Sequence, residues 1–285
     1  MTSIGVIGAG TMGSGIALAS ALAGYDVVLN DINDGYLQIA YRNIGTLMDK
    51  MTERGKLSIA DANAAALRIT TSSHFEHLKT CDLIIEAAVE SLKIKQEIFN
   101  RLDEICHDNC IFASNTSSLA ITAIASASKY PSRVVGLHFF NPAHIMKLVE
   151  IIRGQETTDE VMYRAESYVK QIGKVPVLAK DTPGFIVNRV ARNFYGEAFR
   201  MASDGIASVE QIDTIMKSHG FAMGPFQLMD LIGIDVNLAV TQSVYDQYFG
   251  EPRFRPHLMQ QKMVEANMLG KKTGKGFYDY STDKK

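Results

Sequence analysis

Short apolar runs alternate with amphipathic stretches over the first two thirds of the chain. Ile4-Gly5-Val6-Ile7, Val27 to Asp31, Asp82 to Glu86 and Ile111 to Ser114 are almost wholly apolar up to their last residues. Strands buried on both faces of a parallel sheet read this way. Between and after them, Ile16 to Ala23, Asp34 to Arg54, Ser58 to Ala66, Ser91 to Glu104, Leu119 to Ser126 and Asp159 to Ile172 predict helices, and Val175 to Ala179 a further strand. From Phe185 onward the strand signals stop. Phe185 to Ala202, Val209 to Lys217, Phe226 to Phe249 and His257 to Leu269 all carry helical patterns. Thr182-Pro183 predicts a helix start, with a cap followed by Pro at the first helical position, and sets Asn188 one turn in. Ser208 and Gln211 form a capping-box pattern. The expected architecture is α/β, a Rossmann-type doubly wound, mostly parallel sheet over 1–184, followed by a smaller all-helical domain over 185–285. The tail GKKTGKGFYDY is expected to be a loop that folds back.

Arg133 to Glu150 departs from this alternation. Val134 to Phe140 is apolar except for His138, and Met146 to Ile152 is apolar except for Lys147 and Glu150. Asn141-Pro142 between them signals a turn. Alternation places Val134, Gly136, His138 and Phe140 on one side of the first strand, and Leu148, Glu150 and Ile152 on one side of the second. A carboxylate in such company is costly unless paired, and His138 is the available partner if the strands adjoin. An imidazole oriented by a carboxylate is an acid–base assembly. A buried histidine satisfied by a structural glutamate accounts for the pattern equally well.

Gly8-Ala9-Gly10-Thr11-Met12-Gly13 matches G-x-G-x-x-G between a strand and a small-residue helix, and the next strand ends in Asp31. Gly8 allows the tight turn, Gly10 the approach of a pyrophosphate, and Gly13 close helix–strand packing, with helix amide groups facing the phosphates. Asp31 suits a ribose with a free 2′-hydroxyl, and no Arg follows closely to meet a 2′-phosphate, which favours NAD over NADP. Glu90 and Lys95 fall beyond a strand's carboxyl end, near the expected cofactor edge, or form a salt-bridged surface pair. Asn115-Thr116-Ser117-Ser118 leaves another strand; one of these residues is expected to cap a helix, and the hydroxyls could also hold a substrate oxygen. Lys50, Arg54 and Lys56 give the second helix a basic end, which complements its dipole or clamps a phosphate-bearing substrate.

Composition narrows the function classes. In 285 residues, 29 Lys and Arg nearly balance 31 Asp and Glu, so no nucleic-acid footprint is present. Cys81, Cys106 and Cys110 make neither a disulfide framework nor a zinc spacing, and no metal is expected. No apolar run reaches membrane-span length. The N-terminus enters a strand at once, which leaves no room for a signal peptide and makes the reducing cytoplasm the expected compartment.

The motifs VIGAGTMGSGIA, EAAVE, ASNTSSL, GLHFFNP, MKLVEIIRG, DTPGFIVNR, MGPF and GKKTGKGFYDY occur in this order over nearly the whole chain. Together they resemble the L-3-hydroxyacyl-CoA dehydrogenases, and among them the bacterial 3-hydroxybutyryl-CoA dehydrogenases. The resemblance implies hydride transfer between NAD and C3 of a short-chain 3-hydroxyacyl-CoA, in butyrate or fatty acid metabolism. It implies His138 as acid/base, Glu150 as its orienting carboxylate, Ser117 as hydrogen-bond donor to the reacting oxygen and Asn188 as a substrate contact. It assigns Gly8, Ala9, Gly10, Thr11, Met12, Gly13 and Asp31 to the cofactor, together with Glu90, Lys95, Ser117, Asn141 and Lys272. Lys50 and Arg54 are carried over as CoA contacts. The expected partner besides the acyl-CoA is a second copy, a homodimer through the helical domain, where Phe226, Leu228, Met229 and Leu231 suit an interface or an internal core. His144 stands where such relatives often have Pro. A dehydrogenase of a free hydroxy acid or sugar acid, and a non-catalytic crystallin-like NAD-binding protein, are the alternative readings.

Overall fold

In a computed structural model that describes residues 1–281, the chain divides into two units, Met1–Thr182 and Pro183–Lys285. The first contains β1 Ser3–Ile7, α1 Thr11–Leu22, β2 Asp26–Asn30, α2 Asp34–Glu53, α3 Ile59–Leu67 and β3 Ile69–Ser72. It continues with β4 Leu83–Glu86, α4 Leu92–Ile105, β5 Ile111–Ser114, α5 Ile121–Ala125, β6 Val134–Phe139, β7 Leu148–Arg153, α6 Asp159–Gln171 and β8 Val175–Lys180. The second contains α7 Val187–Ser203, α8 Val209–Ser218, α9 Pro225–Ile232, α10 Ile234–Gln247 and α11 Leu258–Glu265.

The eight strands form one sheet in the order β3-β2-β1-β4-β5-β6-β7-β8. All neighbouring pairs are parallel except β6 with β7. Strand order reverses between β1 and β4, which opens a crevice beyond their carboxyl ends. The central strands are continuous apolar runs because both of their faces are covered; Ile4, Val6, Leu83, Ile85, Ile111 and Ala113 are buried in one core with Ile16 and Leu18 of α1. Helix α2 buries only Leu37, Ala40, Ile44 and Met48, a stripe at helical spacing, and Asn33 caps it by accepting from the amides of Gly35 and Tyr36.

The expectations for unit one need four corrections. Helix α1 starts at Thr11 rather than Ile16, directly after the glycine turn. Strand β3 has no counterpart in the apolar pattern: Ile-Thr-Thr-Ser lies at the sheet edge with its two threonines exposed. Helix α5 is short, and none of Asn115 to Ser118 caps it. Its first amides donate instead to the carboxylate of Asp181, with Ile121 N at 2.9 Å and Thr122 N at 2.7 Å, so a distant residue supplies the cap.

Unit two also departs from expectation at its start and middle. Thr182 is not a cap: residues 182–186 form a turn in which Phe185 has φ of +47°, and helix α7 begins at Val187. Asn188 is therefore in the first turn of the helix. The single helix expected from Phe226 to Phe249 is two, α9 and α10, because Gly233 takes φ of +104° between them. Phe226 and Met229 are fully buried beside Tyr195, Phe199, Ile212 and Ile234, which makes them core rather than interface. Leu231, by contrast, is 48% exposed. The capping box at Ser208 and Gln211 is present in both directions.

The tail does fold back, and two buried aspartates hold it. Asp230 accepts from the amides of Phe277 and Tyr278 and from the Tyr280 hydroxyl, each at 3.0 Å. Asp213 accepts from the first amides of α9, Phe226 N and Gln227 N at 2.9 Å, and from the Tyr278 hydroxyl at 2.8 Å. The Phe277 ring then packs 4.8 Å from that of Phe226.

Candidate active site

The turn between β1 and α1 is built by contacts that tolerate no side chain. A Cβ on Gly13 would lie 1.8 Å from the Gly8 carbonyl oxygen, and one on Gly8 would lie 2.6 Å from that of Ala87. Gly10 has no atom within 4 Å of its would-be Cβ, so the backbone is bare there, as a pyrophosphate site requires. Asp31, just past β2, is pinned: one carboxylate oxygen accepts from Ala9 N at 2.8 Å and the other from Asn33 N at 3.1 Å. Thr11 and Met12 open α1 behind this turn. A cavity of about 500 Å³ adjoins it, lined among others by Gly8, Asp31, Ile32, Tyr36, Val89 and Arg101. Ile32 and Val89 are 93% and 63% exposed. Bare aliphatic walls beside a fixed carboxylate fit the adenosine half of a dinucleotide.

At the carboxyl ends of β4 and β5 lies a buried ionic network. Glu86 is fully buried; one oxygen accepts from Lys95 Nζ and Ala88 N, both at 2.7 Å, and the other from Ser114 Oγ at 2.6 Å. Lys95 is buried too, with its ammonium 3.3 Å from Glu90 Oε2. The surface pair anticipated for Glu90 and Lys95 is thus a three-member cluster closed off by Glu86. Glu90 Oε1 then gathers the next loop, accepting from Thr116 Oγ1 at 2.6 Å, Ser117 N at 3.1 Å, Ser118 N at 3.2 Å and Ser118 Oγ at 3.0 Å. Burial pushes the Glu90 carboxyl up, but the Lys95 charge and these donors outweigh it and hold it below its ordinary value. Thr116 Oγ1 also accepts from Leu119 N, so the hydroxyl cluster shapes its own turn around Ser117.

One strand over, His138 and Glu150 stand directly opposite each other in the β6–β7 ladder. His138 Nδ1 is 2.7 Å from Glu150 Oε2, and both side chains are buried. The Phe140 ring lies 4.6 Å from the imidazole. Asn115 Oδ1 accepts from Phe139 N at 2.9 Å, which ties the Ser117 loop to the end of β6. Asn141, exposed, follows there and joins Pro142 through a cis peptide. His144 is half-buried; burial, then the charge of Lys174, lowers its proton affinity.

The other expected site residues are placed as follows. Lys50 and Arg54 are exposed at the end of α2. In unit two, Lys272 Nζ donates to Asp235 Oδ2 at 2.7 Å. The Asn188 carbonyl accepts from Arg192 Nε at 3.2 Å. Unit one thus brings Glu90 and Lys95 together with the Ser117 loop, and pairs His138 with Glu150. Glu86 and Ser114 escaped the sequence reading as members of this cluster, and Asn115, read there as part of a helix-capping cluster, instead ties the loop to β6. Only Glu86 left a signal there, as the one charge closing an apolar strand.

Two family models cover almost the whole chain. The 3-hydroxyacyl-CoA dehydrogenase NAD binding domain matches residues 3–182, and the 3-hydroxyacyl-CoA dehydrogenase C-terminal domain matches residues 184–280. The chain belongs to the 3-hydroxyacyl-CoA dehydrogenase family. It is 43% identical over 279 residues to a 3-hydroxybutyryl-CoA dehydrogenase of Clostridioides difficile, covering 98% of this chain and 99% of that one. It is 44% identical over 283 residues to a 3-hydroxyadipyl-CoA dehydrogenase of Escherichia coli, covering 99% of this chain but 60% of that one. The crystal structure of an (S)-3-hydroxybutyryl-CoA dehydrogenase from Ralstonia eutropha superimposes with a TM-score of 0.95 at 42% identity, over 98% of this chain and 99% of that one. This member of the family is an NAD-dependent oxidoreductase of 3-hydroxyacyl-CoA thioesters. The exposed backbone at Gly10, the pinned Asp31 and the aliphatic cavity fit its cofactor.

Proposed function

We propose that the substrate pair is a short-chain one, 3-hydroxybutyryl-CoA and acetoacetyl-CoA, and that His138 and Glu150 are the acid–base couple. The observation that carries the acid–base couple is the 2.7 Å approach of His138 Nδ1 to Glu150 Oε2, and the similarity to 3-hydroxybutyryl-CoA dehydrogenases supports the chain length. Nε2, the other ring nitrogen, then exchanges a proton with substrate. Bound NAD supplies the hydride acceptor or donor at C3. In the oxidising direction His138 takes the hydroxyl proton, and the buried Glu150 carboxylate stabilises the resulting imidazolium. In the reducing direction the imidazolium returns that proton to the oxygen. Ser117, on a loop gathered by Glu90, donates to the oxygen as negative charge develops on it.

Asp31 and the glycine turn hold the adenosine and pyrophosphate, and Glu90, Lys95, Asn141 and Lys272 serve the cofactor. For Lys95 this service is indirect, since its ammonium is enclosed between two carboxylates. Asn188 contacts the acyl group, and Lys50 and Arg54 the CoA phosphates. The protein works in the cytoplasm as a homodimer, with Leu231 and its exposed neighbours Ile232 and Val236 as interface residues. Among the described residues no helix is long and apolar enough to cross a membrane.

The test is NADH consumption with acetoacetyl-CoA, with free acetoacetate in parallel. Saturable turnover of the thioester that disappears in His138→Ala supports the reading. Equal turnover of the free acid assigns the protein to another dehydrogenase class. Light scattering of the wild type and Leu231→Glu tests the dimer.

A further inference from the structure

Glu86, at the end of β4, is a carboxylate with no exposed surface, and its partner Lys95 is 1% exposed. Such a pair is a poor source of stability, because both charges must be stripped of water and apolar residues of similar volume often serve as well. What it can supply is fixed geometry. Both Glu86 carboxylate oxygens lead to the loop that carries Ser117. Oε2 accepts from Ser114 Oγ at 2.6 Å, and Ser114 Oγ in turn accepts from Thr116 N at 3.4 Å. Oε1 accepts from Lys95 Nζ at 2.7 Å, and the same ammonium lies 3.3 Å from Glu90 Oε2. Glu90 Oε1 then accepts from Ser117 N at 3.1 Å. A third tie is made by the backbone, where the Glu86 carbonyl accepts from Asn115 N at 2.7 Å. The routes leave one buried residue and meet again at residues 115–117.

Lys95 is shared unequally between its two carboxylates, 2.7 Å from Glu86 and 3.3 Å from Glu90. Glu86 holds the ammonium back, and Glu90 keeps one oxygen for the loop. A neutral amide at position 86 would disturb both routes. Its N–H group turned toward Lys95 would meet only donors, the ammonium and the Ala88 amide. Turned toward Ser114, it would make that hydroxyl an acceptor and reverse the first link. In either case the ammonium loses an anion and draws the Glu90 carboxylate toward itself, away from Ser117 N. We infer that Glu86 is a positioning residue for Ser117. It touches neither substrate nor cofactor, since it has no exposed surface, yet it sets where the Ser117 hydroxyl stands against the reacting oxygen. A donor to a developing negative charge acts fully only at the right distance, and small misplacements are costly in rate.

This role for Glu86 rests on the acyl-CoA reading and on Ser117 as donor to the reacting oxygen, and one set of variants separates them. NADH consumption with acetoacetyl-CoA is measured for the wild type, Glu86→Gln, Ser117→Ala and the double variant, with NADH affinity followed by fluorescence titration. Ser117→Ala is expected to lower kcat by ~10²–10³, the usual effect of removing one donor to a developing oxyanion. Glu86→Gln is expected to lower kcat about tenfold or more while NADH affinity is retained. Once Ser117 is alanine, Glu86→Gln should cost little further, because residues that act through one group are not additive. Wild-type kcat in Glu86→Gln overturns the inference, and so does a loss that appears only as weaker NADH binding. The same fold-loss in both backgrounds also overturns it, since Glu86 would then merely support the fold. If Glu86→Gln fails to fold, Ser114→Ala cuts the first route with both ion pairs in place, and the same comparisons decide. Additive losses leave the Ser117 role and the acyl-CoA reading intact. Wild-type kcat in Ser117→Ala removes the Ser117 role and the inference together. Absence of turnover in the wild type removes the acyl-CoA reading as well.

Discussion

A methyl group on Gly13 would stand 1.8 Å from the carbonyl oxygen of Gly8, far inside van der Waals contact, whereas one on Gly10 would meet nothing. The two glycines of one motif therefore do different work, and alanine at each separates them. Gly13→Ala should push α1 off β1, with a lowered melting temperature or loss of soluble protein. Gly10→Ala should melt like the wild type yet lose NADH binding in a fluorescence titration, because the methyl occupies the path of the pyrophosphate.

The His138–Glu150 couple makes a kinetic prediction. His138→Ala should lower kcat by ~10²–10⁴, the usual contribution of a positioned acid or base, with the affinity for NADH retained. Near-normal turnover would refute the assignment. Glu150→Gln keeps the shape of the pair but no longer stabilises an imidazolium. Its pH–rate profile should shift, and a superimposable profile would reduce Glu150 to a structural partner.

Glu90 links acid stability to the Ser117 loop. Its carboxyl is held below the ordinary value of 4.5, so the ionised form favours the folded state. That contribution is present above pH 4.5 and is lost as pH falls through the lower folded value. The Glu90 side chain is 39% exposed, so screening keeps the effect modest. Glu90→Gln should flatten the acid limb of the stability curve below about pH 4.5, and it should lower kcat for acetoacetyl-CoA as the loop loosens. An acid limb identical to the wild type would count against the link.

Asp230 clamps the C-terminal segment. Replacing it with Asn turns an all-acceptor group into one that presents N–H to N–H donors in a buried site. The expected cost is about 2 kcal/mol or more in denaturant unfolding. Hydrogen exchange should rise first at the amides of Phe277 and Tyr278, which donate to this carboxylate. Unchanged protection there would mean that the aromatic packing of Phe277 holds the segment without help.

The central strands, the glycine turn and the β6–β7 pair were legible in the sequence because each depends on local pattern: unbroken apolar runs, a fixed spacing, or period-two alternation. What stayed hidden depends on residues far apart in the chain. Asp181 caps a helix that starts sixty positions earlier, and the local Asn-Thr-Ser-Ser signal pointed to the wrong cap. Lys95 read as either a surface charge or a residue at the cofactor edge because it lies among the charged residues of an amphipathic helix, and only its burial against Glu86 of β4 reveals the cluster. Edge strand β3 carries threonines on its exposed positions and so lacks an apolar signature. Gly233 ends one helix and begins another with hardly a residue between, a break that helical periodicity passes over.

The reversal of β7 within an otherwise parallel sheet governs how this site tolerates change in length. Because the ladder itself sets His138 against Glu150, residues added to the connection between Phe139 and Leu148 would lengthen a surface bend without separating the couple. One residue removed inside either strand would instead turn its side chains over, sending the carboxylate to the far side of the sheet. Chains of this design can vary their rim while the His138–Glu150 pair stays locked, and a library with insertions at 145–147, where the side chains are exposed, and single deletions within 148–150 would sort into active and inactive members along that line.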